Sequence, residues 1–169
     1  MRPTDFLRRL PDAVRRDLPQ DLASSFHAAS RFSLMQLWSG NRAIHYEAWI
    51  RERAGVIEIG LHFEADPLTN ARLLAAFRAR GRALHDALGH EVRIEEWDRG
   101  WSRVWEPIEL AELDDAFLER VASRLANYVN ALEPILRDEV PSDVAWAEPR
   151  RRPVRAQRAA AGTRAKHRR

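Results

Sequence analysis

There is no cysteine in this 169-residue chain, which excludes disulfides, thiolate metal sites, iron–sulfur clusters and cysteine nucleophiles. Of the 28 basic side chains only Lys166 is a lysine, and it lies close to the C-terminus. Schiff-base chemistry and a Walker-type phosphate contact therefore have no amine to act through in the first 149 residues. The 7 glycines never cluster into a phosphate-cradling loop, and no G-x-S-x-G elbow occurs. No apolar run approaches the roughly 18 residues of a membrane span. The opening Met1-Arg2-Pro3-Thr4-Asp5 leads into nothing of signal-peptide type. A cytoplasmic protein without a membrane partner is the expectation.

What is present is unevenly charged. Residues 1–149 hold 19 basic and 25 acidic side chains, whereas residues 150–169 hold 9 basic and no acidic ones. The length suits one folded domain with an ordinary core. The expected division is an α+β domain over 1–140 and a linker with a disordered basic tail over 141–169. Pro141, Pro149 and Pro153 interrupt that last stretch, and from Arg150 onward it has too little apolar surface to offset its ordering entropy.

Periodicity sets the expected elements. Residues 1–20 read as an irregular arm of short helical turns cut by Pro3, Pro11 and Pro19. Asp21 caps a helix to about Trp38, with Leu22, Phe26, Ala29, Ser33 and Leu37 as its stripe. Alternation at 42–50 and 56–64 predicts a hairpin through Glu52-Arg53-Ala54-Gly55. Asp66-Pro67 opens a helix that runs to Leu88 and ends at Gly89. A second hairpin, 91–97 and 101–108, turns at Asp98-Arg99-Gly100. The last helix starts near Asp114, and Pro134 is expected to kink or fray its end. The order α-ββα-ββα points to a four-stranded, mainly antiparallel sheet with helices on at least one face.

The first hairpin carries the clearest chemistry. If both apolar sets lie on one side, the tightest turn of the right parity places His45 opposite His62, Glu47 opposite Gly60 and Trp49 opposite Glu58. Opposed side chains have Cβ atoms about 5 Å apart. Two imidazoles with Glu47 and Glu64 are a donor set for a divalent metal. An open coordination position would make that site hydrolytic. The same alternation is also what a solvent-facing polar sheet surface shows, with no cofactor at all. On the second hairpin Trp97, Trp101, Arg103 and Trp105 form an outward set suited to a protein partner or a second copy of the chain, unless the N-terminal helix covers that face. In the tail, Arg150, Arg151, Arg152, Arg155, Arg158, Arg164, Lys166, Arg168 and Arg169 form a polycation suited to nucleic acid through counterion release.

Across residues 42–137 the chain resembles a small prokaryotic domain of unknown function that occurs alone or at the C-terminus of restriction-type and nuclease-related proteins. The resemblance is carried by the first hairpin, a helix with Asn70, Leu74 and Phe77 ending at Leu88-Gly89, then Glu96-Trp97, Ser102-Arg103-Val104 and the helix around Tyr128 to Leu136. It implies a role in nucleic-acid metabolism and brings no catalytic residues. Glu58-Ile59-Gly60 has no lysine where an E-x-K nuclease strand carries one. The expected function is a non-enzymatic binding protein contacting nucleic acid through its tail. One alternative is a metal-dependent hydrolase or nuclease built on the first hairpin. The other is a structural homo-oligomer subunit.

Overall fold

A computed structural model describes residues 1–140; the expected linker and tail at 141–169 lie outside the described residues. The N-terminal arm is not irregular: Phe6, Leu7, Leu10, Ala13 and Val14 make one buried stripe along helix α1 (Pro3–Arg16). Proline fails to break it for two reasons. Pro3 occupies the first turn, where no N–H is needed. Pro11 frees the carbonyl of Leu7, and the Ser30 hydroxyl donates to that oxygen at 2.9 Å.

The predicted helix over 21–38 is replaced by a short helix α2 (Gln20–Ser25) and two strands, β1 (His27–Arg31) and β2 (Leu34–Trp38). Met35 and Leu37 are buried while Leu34, Gln36 and Trp38 are half-buried, which is a period of two. Phe32 and Ser33 reverse the chain between Arg31 and Leu34.

The first predicted hairpin forms as β3 (Ile44–Arg51) and β4 (Val56–Phe63) in the expected register, His45 facing His62, Glu47 facing Gly60 and Trp49 facing Glu58. Asp66 caps α3 (Pro67–Ala79), accepting from the N–H groups of Leu68 and Thr69. The expected continuous helix breaks at Arg80, and α4 (Gly81–Leu88) follows. Glycine at the start of the second piece is the weakest helix former available there after proline. The second hairpin is β5 (Arg93–Glu96) and β6 (Ser102–Glu109). Asp114 caps α5 (Asp115–Glu139), which continues as helix beyond Pro134 to Glu139.

The sheet has six antiparallel strands in the order β1-β2-β3-β4-β6-β5, so β1 and β2 widen the expected four. The class is α+β. One sheet face carries Met35, Leu37, Tyr46, Ile57, Ile59, Leu61, Phe63 and Val104, and the helices bury it. Helix α1 packs on this side as well, since Ser30, which it touches, pairs with the buried Met35. It therefore does not cover the tryptophan and arginine face. No helix among the described residues is long and apolar enough to cross a membrane.

Candidate functional site

The opposite sheet face is built from the alternate residues of the same strands. Reading across the register, His62 lies between His45 and Arg103, and Gly60 lies between Glu47 and Trp105. Gln36 stands beside Glu47 on the other side. Among the described residues no helix packs on this face, and His45 is 2% exposed, His62 4% and Glu47 6%.

Each donor is oriented by its surroundings. The Arg42 guanidinium donates twice to Gln36 Oε1, at 3.1 and 2.7 Å, which turns the Gln36 amide nitrogen toward the cluster. That nitrogen lies 3.0 Å from His45 Nε2 and 3.4 Å from a Glu47 oxygen. His45 Nδ1 is 2.8 Å from the Arg42 carbonyl, which can only accept, so Nδ1 holds a proton. When the ring is neutral, Nε2 is a lone pair facing the cluster. When it is protonated, Nε2 donates instead to Glu47 Oε2 at 3.3 Å. A backbone carbonyl that fixes one imidazole nitrogen and frees the other is the usual support of a metal-binding histidine.

Glu47 reaches between the rings, with its second oxygen 4.0 Å from His62 Nε2. Burial pushes its carboxyl up, but the hydrogen bond with His45 and the charges of His62 and His45 outweigh this and hold it below the ordinary carboxylate value. The two rings stack with centroids 5.6 Å apart. Glu64 approaches from the end of β4, 3.8 Å from His62 Nδ1. That Nδ1 is buried and has no hydrogen-bond partner among the described residues. One donor atom from each of His45, His62 and Glu64 lies within 4.8 Å of the other two. The structure thus brings all four sequence-predicted residues, His45, Glu47, His62 and Glu64, to one place.

The outward set of the second hairpin borders this cluster. The Trp97 ring meets His62 edge-on at 5.7 Å. The Arg103 guanidinium lies over Trp97 and Trp105, at 4.5 and 3.7 Å from their ring centres. It is also 3.2 Å from Glu58 and 2.8 Å from Glu95. Arg103 and Trp105 are buried in this network, whereas Trp97 and Trp101 remain half-exposed. The predicted nucleic-acid residues from Arg150 to Arg169 lie outside the described residues. Gln36 and Arg42 escaped sequence reasoning because Gln36 fell in a predicted helix. The signal that places it is the alternation around Met35 and Leu37.

On the helix side, Tyr46 donates to Glu133 Oε2 at 3.0 Å, beside a cavity of about 350 Å³ also lined by Asn130, Pro134 and Leu22. Burial raises the Glu133 carboxyl above its ordinary 4.5, against the hydrogen bond from Tyr46 and the nearby Arg137. The folded state therefore holds this proton more tightly than the unfolded chain. Stability falls as pH rises from about 4.5 through the folded value, where a buried carboxylate forms. Glu133→Gln keeps an acceptor for Tyr46 and removes the titration. Its unfolding midpoint in urea should match the wild type near about pH 4 and exceed it near about pH 7. A difference that does not change with pH would refute this assignment.

No protein-family model, curated protein or solved structure matches this chain.

Proposed function

We propose that this protein binds a divalent metal ion on the outer face of its sheet and uses it for hydrolysis. The observation that carries the reading is the grouping of one donor atom each from His45, His62 and Glu64 within 4.8 Å of one another, together with a buried His62 Nδ1 that has no hydrogen-bond partner among the described residues. Two histidines and one glutamate are a zinc ligand set of catalytic type, leaving a coordination position for water. Bonds of about 2.0–2.2 Å require the donor atoms to draw together by roughly 1 Å, which a half-buried Glu64 at the end of its strand accommodates. Glu47, adjacent to both imidazoles, is placed to take a proton from that water. Hydrolysis of a nucleic-acid phosphodiester also fits the resemblance of residues 42–137 to a nuclease-associated domain. The 9 basic side chains of residues 150–169 would hold such a polymer by charge alone.

Calorimetric titration of the full chain with zinc and with manganese tests the core of this reading. One ion per chain should bind, and His62→Ala and His45→Ala should each weaken binding at least about 10-fold. Glu47→Gln should retain binding, because its carboxylate is not among the ligands. Absence of binding, or binding unchanged in the double variant His45→Ala with His62→Ala, would remove the metal site.

A further inference from the structure

Away from the histidine cluster, the turn between β1 and β2 projects beside a groove of about 770 Å³. Phe32 lines it, 73% exposed and with φ +53°. Two-residue hairpin turns ordinarily reserve positive φ for glycine, asparagine or aspartate. A phenylalanine there is strained in its backbone and wet in its side chain, and strain retained without burial points to a binding role.

The rest of the groove says what would bind. Trp49 lines it as well, and Ile50 N–H donates to the Ser33 carbonyl at 2.8 Å, fixing the turn against β3. A guanidinium covers one side of each ring, Arg31 over Phe32 at 5.1 Å and Arg51 over Trp49 at 4.8 Å. Arg2, Arg51 and Arg53 are lining residues, against a single lining carboxylate, Glu52. Arg2 is held by Asp5 and Arg51 by Glu58, while Arg53 has no hydrogen bond or ion pair among the described residues. The first turn of α1 forms part of the wall, and its N-cap residue Arg2 supplies no side-chain cap, so the helix dipole adds to the positive field.

We propose that this groove binds single-stranded nucleic acid, with an unpaired base stacked on Phe32 and Trp49 and the flanking phosphates on Arg53, Arg51 and Arg2. Stacking platforms set among arginines tolerate any base and follow the backbone by charge. An acidic peptide would satisfy the arginines but give the two rings no planar partner. The site is separate from the metal cluster, and its test is independent of metal.

Fluorescence anisotropy of the full chain with a labelled oligothymidylate of about 12 nucleotides, at about 0.15 M salt, reads the proposal directly. Phe32→Gly should weaken binding by about 5- to 100-fold. Its melting temperature should stay the same or rise, because glycine suits φ +53°. Arg53→Glu should also weaken binding, and Phe32→Trp should preserve it. Basic residues 150–169 contribute equally to all these variants, so they cannot mimic the Phe32 effect. Three results would overturn the proposal: wild-type affinity in Phe32→Gly, the same Phe32 dependence for a duplex of equal length, or displacement of the oligonucleotide by a poly-glutamate peptide with Phe32-dependent affinity.

Discussion

Gly60→Ala is expected to destabilise the protein by about 3 kcal/mol or more, read as a fall in the urea unfolding midpoint. Gly60 sits in β4 with Glu47 on one side and Trp105 on the other. A Cβ atom at this position would lie 2.4 Å from the Val104 carbonyl oxygen and 2.6 and 2.7 Å from Cβ and Cα of Trp105. All three belong to the backbone of β6 or are fixed directly to it, so no rotamer change relieves the contact. The strands must move apart. That weakens the ladder joining the two hairpins and displaces Trp105, His62 and Arg103 together. The cost is steric, because Gly60 is not among the glycines with positive φ. A change within about 0.5 kcal/mol, the range of an ordinary surface substitution, would show that the strands separate freely here.

Gly60 also shows how far the sequence can be read. A lone glycine inside an alternating strand signals a close backbone approach, but nothing local says which strand approaches. The β3–β4 register is legible because alternation fixes its parity and a short connection fixes its offset. This is why His45, Glu47, His62 and Glu64 can be placed together from the sequence alone. The pairing of β4 with β6 is not legible, since residues 64 to 101 intervene and either edge of the first hairpin satisfies the same pattern. Glu58 therefore could not be paired with Arg103 in advance.

The segment 21–38 fails for a different reason. Leu22, Phe26 and Leu37 fit a helical repeat, and His27-Ala28-Ala29-Ser30-Arg31 has no β-branched residue to argue for a strand. Its strand state is imposed from outside, by β2 pairing with β3 through Met35 opposite Ala48 and Leu37 opposite Tyr46. In α1 the error runs the other way. Pro11 is a local breaker whose cost is offset by a distant hydroxyl, that of Ser30. The caps at Asp66 and Asp114 are legible because a cap is a local contact between a side chain and the next three residues.

Arg103→Ala should cost about 3 kcal/mol, for reasons that combine packing and charge. Arg103 is 8% exposed, and its guanidinium lies over two indoles and meets Glu58 and Glu95. Removing it leaves a gap between Trp97 and Trp105 and takes a cation from two carboxylates at once. Glu58 keeps Arg51 at 2.6 Å and Glu95 keeps the Trp105 indole N–H at 2.7 Å. Those remaining partners hold the expected loss to the lower end of the range of about 3–5 kcal/mol for breaking a buried pair. Arg103→Lys should recover only a minority of the loss, because an ammonium cannot lie flat on a ring while bonding two carboxylates in the same plane. Arg103→Met separates the two contributions: it refills the space but leaves the carboxylates short of charge. If Met restores wild-type stability, packing alone holds the face together. If Met remains close to Ala, the ion pairs do. A double-mutant cycle of Arg103→Ala with Glu58→Gln should give a coupling of about 1 kcal/mol or more, since the two groups touch. Trp97 rests against both Arg103 and His62, so near-ultraviolet circular dichroism of the folded Arg103→Ala protein should lose tryptophan signal before unfolding begins. Stability within about 0.5 kcal/mol of wild type and an unchanged spectrum would mean that the indoles are held by the sheet itself, without the cation between them.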